Sequence, residues 1–310
     1  SIETMLGEAN EAVALEKAKA QDETEVFAND SKKKIYMHWM YDVPMGEQLD
    51  DDGDSLESIE GCLTDAQYNR DEHRKAVIDD ILDNWVSQSH NGKFHAILAT
   101  SSIPEAIKYY KLFAQRDCGL KTTAVFDPSD GNNESSIEKI DGIAQMLEDY
   151  NSLFGTCFNI SGYASFKRDV CARLAHKTPY TAVENEPSKC LDILIVVDQM
   201  LTGYDSKWLN TLYMDKFYKW SNIEMIIQAF SRTNRVFNDD KPHGIIRYYR
   251  RPYTMKNIIE YAFEQYSGQK PYGIFVAKLI QNLENMNAAF SDINDIFKIA
   301  GIPDFFKTSR

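Results

Sequence analysis

The chain has 310 residues, 43% of them apolar and 12% aromatic, enough to bury a sizeable core in two average domains or one large domain with extensions. No apolar run approaches the length that crosses a bilayer, no signal peptide is visible, and five widely spaced cysteines lack any Cys-x-x-Cys pair, which argues for reduced thiols in a cytosolic protein over a disulfide or zinc framework. The net charge of −13 is unevenly placed, because residues 1–90 hold 22 acidic and 8 basic residues whereas residues 91–310 hold 25 and 26. The larger, neutral part can grip a nucleic-acid backbone through amides and hydroxyls but lacks the basic stripe of a free-standing binder.

Ser1 to Ala20 reads as a helix without a start signal, which points to an excised fragment. Ile35, Met37, Trp39 and Met40 read as a docking strand. Asp50 to Asp54 forms an acidic loop, for which a solvated turn is preferred over a calcium site. Residues 64–90 carry Val77, Ile78, Ile81, Leu82 and Trp85 at helical spacing, and Asp71-Glu72-His73 falls on the charged face of that helix.

From residue 94 the pattern alternates. Phe94 to Ala99 is a short apolar strand, and Ser102-Ile-Pro-Glu105 has the form of a capping box that opens a helix to about Arg116. Thr122 to Phe126 is a strand; a loop over 129–136 leads into a helix ending near Phe154; Thr156 to Ile160 reads as a further strand and Phe166 to His176 as a helix. Leu191 to Val197 is a near-continuous β-branched run, the signature of a strand covered on both faces. Asn210 to Met214 is its successor, Ser221-Asn-Ile-Glu224 reads as a second capping box, and Gly244 to Tyr249 is a late strand. Residues 256–310 read as helices around Ile258, Ile259, Phe263, Leu279, Ile280 and Leu283. Alternating strands and helices imply an α/β fold with a mostly parallel sheet.

Two motifs carry chemistry. Thr202-Gly203-Tyr204-Asp205 follows the buried strand, where open α/β sheets bind ligands. Gly203 lets the backbone approach a phosphate, Thr202 offers a hydroxyl and Asp205 a carboxylate; an ordinary tight turn accounts for the same residues. Gln228-Ala-Phe-Ser-Arg232-Thr-Asn-Arg235 places two arginines three positions apart at the end of an apolar helix. Their planar forks suit a γ-phosphate, and they equally suit the negative end of a helix dipole in solvent.

Val197 to Asp205, Asn210 to Lys216 and Gln228 to Arg235 resemble motifs V and VI of superfamily 2 helicases. Their wording, with Ala99 to Phe113 as a motif IV region, looks like the motor (R) subunit of type I restriction–modification enzymes. The resemblance implies a RecA-like three-layer domain over residues 91–255, flanked by an acidic, mixed or helical lead-in (1–90) and a helical extension (256–310). It implies that one or both of Arg232 and Arg235 act as arginine fingers toward ATP, with Gln228, Gly203 and Asp205 beside the nucleotide. Thr202, Ser101 and Ser102 would touch the backbone of double-stranded DNA, although Ser102 serves equally as a helix cap.

No Gly-x-x-x-x-Gly-Lys-[Ser/Thr] loop and no Glu-x-Lys nuclease pattern occurs in the chain. ATP and Mg2+ are therefore expected to be bound mainly by a first motor domain outside it. The implied partners are methyltransferase and specificity subunits, in the cytoplasm of a bacterium or archaeon, with no membrane. The residues leave two other readings open: the second domain of another superfamily 2 helicase, or a nucleotide- or partner-binding α/β module without a motor role.

Overall fold

A computed structural model describes residues 2–50, 52–116, 118–126, 136–197, 204–237 and 239–266, with isolated positions beyond. The loop expected at 129–136, save its last residue, and the helices expected beyond residue 266 lie outside the described residues. A compact unit runs to Ile259 and a second begins at Glu260.

The lead-in is helical: α1 Ile2–Ala18, α2 Glu23–Phe27, α3 Asp30–Tyr41, α4 Ile59–Cys62, α5 Asp65–Tyr68 and α6 Asp71–Gln88. The expected strand around Trp39 is instead α3, started by Asn29, whose side chain accepts from the Ser31 and Lys32 amides. Trp39 and Tyr36 pack with Val13, Ala14, Ala18 and Val26 of α1 and α2 and with Ile59, Leu63 and Tyr68, so this acidic stretch has a core of its own. In the acidic loop the Asp50 side chain accepts from the amides of Asp52 and Asp54, as a solvated turn would. The helix expected over 64–90 is broken at Asn69, because the Asn69 carbonyl accepts from Arg74 and its side chain from Arg250.

The chain then forms β1 His95–Thr100, α7 Ile103–Gln115, β2 Thr122–Val125, α8 Ser136–Phe154, α9 Tyr163–Leu174, β3 Ile193–Val196, β4 Leu209–Asp215, α10 Ile223–Phe230, β5 Ile245–Tyr248 and α11 Pro252–Tyr266. The sheet is all parallel, in the order β2-β3-β1-β4-β5. Helices flank it, giving the expected α/β, RecA-like fold. Every residue of β1, β3 and β4 is buried, which is why Ile193–Val196 reads as an uninterrupted apolar run. The α7 face formed by Ala106, Ile107, Tyr109, Tyr110 and Phe113 is also buried.

Two expected elements are absent, each for a local reason. Thr156 to Ile160 forms no strand, because Asn151 takes the place of a strand partner. Its side chain donates to the Phe158 carbonyl at 2.7 Å and accepts from the Phe158 amide at 2.8 Å and the Thr156 hydroxyl at 2.8 Å. The Ser221 capping box is not made. A 3-10 turn, Trp220–Asn222, leads into α10, and the Ser221 hydroxyl bonds to the Asn222 side chain. The Ser102 box is half made: Ser102 caps the Glu105 amide, but the Glu105 carboxylate turns away to bind Arg74 through two bonds of 2.7 Å.

Residues 44–60 fasten onto the chain that leaves β5. Gly46 lies so close to Tyr253 that a Cβ would sit 2.5 Å from its carbonyl carbon, which leaves room only for glycine. The Glu47 amide donates to Thr254 and its carbonyl accepts from Asn257. The buried Glu60 carboxylate accepts from the free amides of Tyr253 and Thr254 in the first turn of α11. Burial pushes the Glu60 carboxyl up, while these amide bonds pull it down. Glu60→Ala is expected to cost about 1–2 kcal/mol and to speed hydrogen exchange at the Tyr253 and Thr254 amides. Unchanged protection there would dismiss the clamp.

Candidate functional site

In a parallel sheet the two strand ends form distinct edges, and the sequence-predicted residues divide between them. Ser101 is exposed and Ser102 half-buried just past β1, at the carboxyl edge. Nearby, the Thr100 hydroxyl donates to the Val196 carbonyl at 3.1 Å, tying β1 to β3 there. Asp205 lies at the amino edge, four residues before β4 begins, rather than at the carboxyl edge expected for the turn after a strand. The reason is topological: β3 and β4 run parallel on either side of β1, so the chain between them must return from the carboxyl edge to the amino edge. Thr202 and Gly203, within that passage, lie outside the described residues.

The α10 helix delivers the arginines to the same amino edge. It ends at Phe230, so Arg232 and Arg235 sit in the turn beyond it rather than on the helix itself. Arg235 forms an ion pair through its Nε with an Asp205 carboxylate oxygen, and the side chains remain 61% and 47% exposed. Arg232 donates from Nη1 to the Tyr204 carbonyl at 3.3 Å. Gln228 is exposed on α10, and its carbonyl accepts from the Ser231 hydroxyl. Sequence-distant residues Asp205, Arg232 and Arg235 are thus brought together, while Ser101 and Ser102 stand at the other edge, about 20 Å away along the six residues of β1.

What holds this edge is buried. Tyr204 hydrogen-bonds His95 at 3.0 Å, and burial, with help from the charges of His176 and Lys241, lowers the His95 pKa to about 3, so the ring is neutral. The Ser206 hydroxyl donates to the Leu174 carbonyl and accepts from the Trp208 amide. Gly244 approaches Thr233 so closely that a Cβ would lie 2.2 Å from the threonine Cβ, which seats the arginine turn against the start of β5.

The carboxyl edge contains a cluster that sequence reading missed. Asp215, the last residue of β4, accepts from His73 at 2.8 Å, Tyr109 at 2.9 Å and Arg250 at 2.9 and 3.0 Å. His73 is therefore not on a charged helix face: Asp71 and Glu72 are exposed, but His73 points inward. A lone aspartate after a strand and a histidine in an acidic helix carry no periodic signal that would have found them. Among the described residues no group of three or more His, Cys, Asp or Glu side chains is placed to hold a metal. No described helix is long and apolar enough to cross a membrane.

The stretch from just before β1 to just after β5 is also what known proteins share with this chain. A family model described as type I restriction enzyme subunit R domain 3 matches residues 92–251, more than half of the chain. The chain belongs to this family. Relatives within it include the type I restriction enzyme SsaAORF53P endonuclease subunit of Staphylococcus saprophyticus, 32% identical over 213 residues, or 66% of this chain and 22% of the relative. The SauMRSORF196P endonuclease subunit of Staphylococcus aureus MRSA252 is 31% identical over 200 residues, 62% of this chain and 20% of the relative. A putative MjaIXP endonuclease subunit of Methanocaldococcus jannaschii is 30% identical over 125 residues, 40% and 11% of the respective chains. The chain spans about a fifth of the length of its staphylococcal relatives. The matched region of this R-subunit family member contains the whole sheet, both arginines, Asp205 and Asp215.

Proposed function

We propose that this chain is the second RecA-like motor domain of the R subunit of a type I restriction endonuclease, supplying arginine fingers and DNA-backbone contacts for ATP-dependent translocation of duplex DNA before cleavage. The observation that carries this reading is the exposed pairing of Arg235 with Asp205 beside Arg232. Two motifs distant in sequence meet at one edge, where a guanidinium can exchange a carboxylate for the isosteric oxygens of a phosphate. An ATP phosphate suits this set: Arg235 is exposed and Arg232 half-buried just past α10, and Gln228 lies one helical turn before Arg232.

Bound ATP, with Mg2+, supplies the phosphoryl bond whose cleavage drives the motor. Arg232 and Arg235 neutralise charge growing on the γ-phosphate, and Asp205 keeps Arg235 extended until the nucleotide arrives. Thr202, Ser101 and Ser102 hold the DNA backbone, the serines from the opposite edge of the sheet. The phosphate cradle, the metal ligands and the nuclease belong to the rest of the R subunit, which works with methyltransferase and specificity subunits in the cytoplasm.

The test uses the complete R subunit assembled with its partner subunits. Arg232→Ala and Arg235→Ala are expected to abolish DNA-stimulated ATP hydrolysis, and full turnover in both would end the finger assignment. The isolated chain is expected to show no measurable heat with a non-hydrolysable ATP analogue. Micromolar binding would instead favour a nucleotide-binding module with no motor role.

A further inference from the structure

We infer that Lys241 is a positioning residue for the Arg235–Asp205 pair: its ammonium ties the main chain of the arginine turn to the segment leading into β4. Nζ donates to the carbonyl of Arg235 itself at 2.6 Å and to that of Lys207, two residues after Asp205, at 3.4 Å. One side chain thus bridges the two segments whose side chains form the exposed pair. The inference rests on the proposed function of that pair.

Three observations support the role. Lys241 is 0% exposed and is the only lysine among the buried described residues. No described carboxylate pairs with it, although Asp239 and Asp240 adjoin it and Asp240 is engaged by Lys93. A buried ammonium is costly, and a methionine of similar length would fill the space without that cost, so stability alone does not explain a lysine here. Finally, the bridge is anchored: Lys241 and Phe237 exchange backbone hydrogen bonds at 3.0 and 3.1 Å, closing a tight loop, and Gly244 seats Thr233 beyond it. Burial lowers the Lys241 pKa to about 8, and its partners among the described residues are carbonyl dipoles rather than a counter-charge.

A fixed main chain matters because an exposed arginine must reach its target with little reorganisation, and a displacement of about 1 Å at a catalytic group costs about 100-fold in rate. The test compares Lys241→Met with the parent in the complete R subunit assembled with its partners. DNA-stimulated ATP hydrolysis is expected to lose at least about 10-fold in kcat with KM for ATP within about 2-fold. Hydrogen exchange at the amides of 232–236 should quicken at least about 10-fold while the unfolding midpoint stays within about 2 °C. Unchanged kcat with unchanged local exchange overturns the inference; so does a lowered midpoint with protection lost across the whole sheet, which marks a purely structural lysine. Arg235→Ala is run alongside. Should that variant keep full turnover, the finger reading fails, and Lys241 is judged by the exchange of 232–236 alone.

Discussion

Asp215→Ala is expected to destabilise the fold by about 3–5 kcal/mol, read as a lower urea midpoint at unchanged slope. The carboxylate is 0% exposed and receives four hydrogen bonds, two of them from Arg250, which is itself 2% exposed. Truncation leaves a buried guanidinium without its counter-charge, which is the costly half of breaking a buried pair. It also frees Tyr109 of α7 and His73 of α6, so two helices lose their tie to the end of β4. Asp215→Asn keeps the shape but turns an amide toward Arg250, and should recover only part of the loss. A cost below about 1 kcal/mol for the alanine variant would mean that the cluster is decoration.

The same residue sets a pH dependence whose sign can be worked out. Burial opposes ionisation of Asp215, but the hydrogen bonds and charges of His73 and Arg250 prevail and hold its carboxyl below its ordinary value of 3.8. A depressed carboxyl contributes stability that is fully present above the unfolded value and is lost as pH falls through the folded one. The parent should therefore lose stability below pH 3.8 through this group, and Asp215→Ala should lack that component of the acid slope. Glu105, opposed by burial but held low by Arg74, adds to the acid loss in both proteins.

Arg235→Ala in the complete R subunit is expected to lower ATP turnover by about 1,000-fold or more, the scale on which arginine fingers act. Arg235→Lys should recover little, because an ammonium keeps the charge but not the planar two-pronged grip. Thermal stability should barely move in either variant, since the partner is Asp205 and both groups are largely exposed. Asp205→Asn separates the parts further: stability unchanged, turnover reduced. Parent-like turnover in Arg235→Ala, with the subunit folded, would remove that residue from the chemistry.

Sequence patterns revealed those elements whose cause is local. The run Ile193–Val196 is apolar because both faces of β3 are covered, and Ser102 caps α7 with its own hydroxyl. They failed where a distant residue decides. The split before α6 follows from Arg250 reaching Asn69 across 181 positions. The strand expected at Thr156 failed at short range instead, because the Asn151 side chain that cancels it leaves no periodic trace. The arginine turn was visible as a motif, but its pairing with Asp205 depends on β3 and β4 standing on either side of β1. Lys241 was invisible for a different reason: a lysine beside two aspartates and a proline reads as a solvated turn, and only the packed structure shows it buried.

The clamp formed by Gly46, Glu47 and Glu60 has a consequence for how the domain can move. The chain before the sheet and the chain after it are gripped together at Tyr253, Thr254 and Asn257. Whatever turns the sheet must therefore turn both of these segments as one piece. On the proposed motor role, any bending during a stroke is expected outside the span from Glu47 to Asn257, with the sheet and both of its flanking segments turning together.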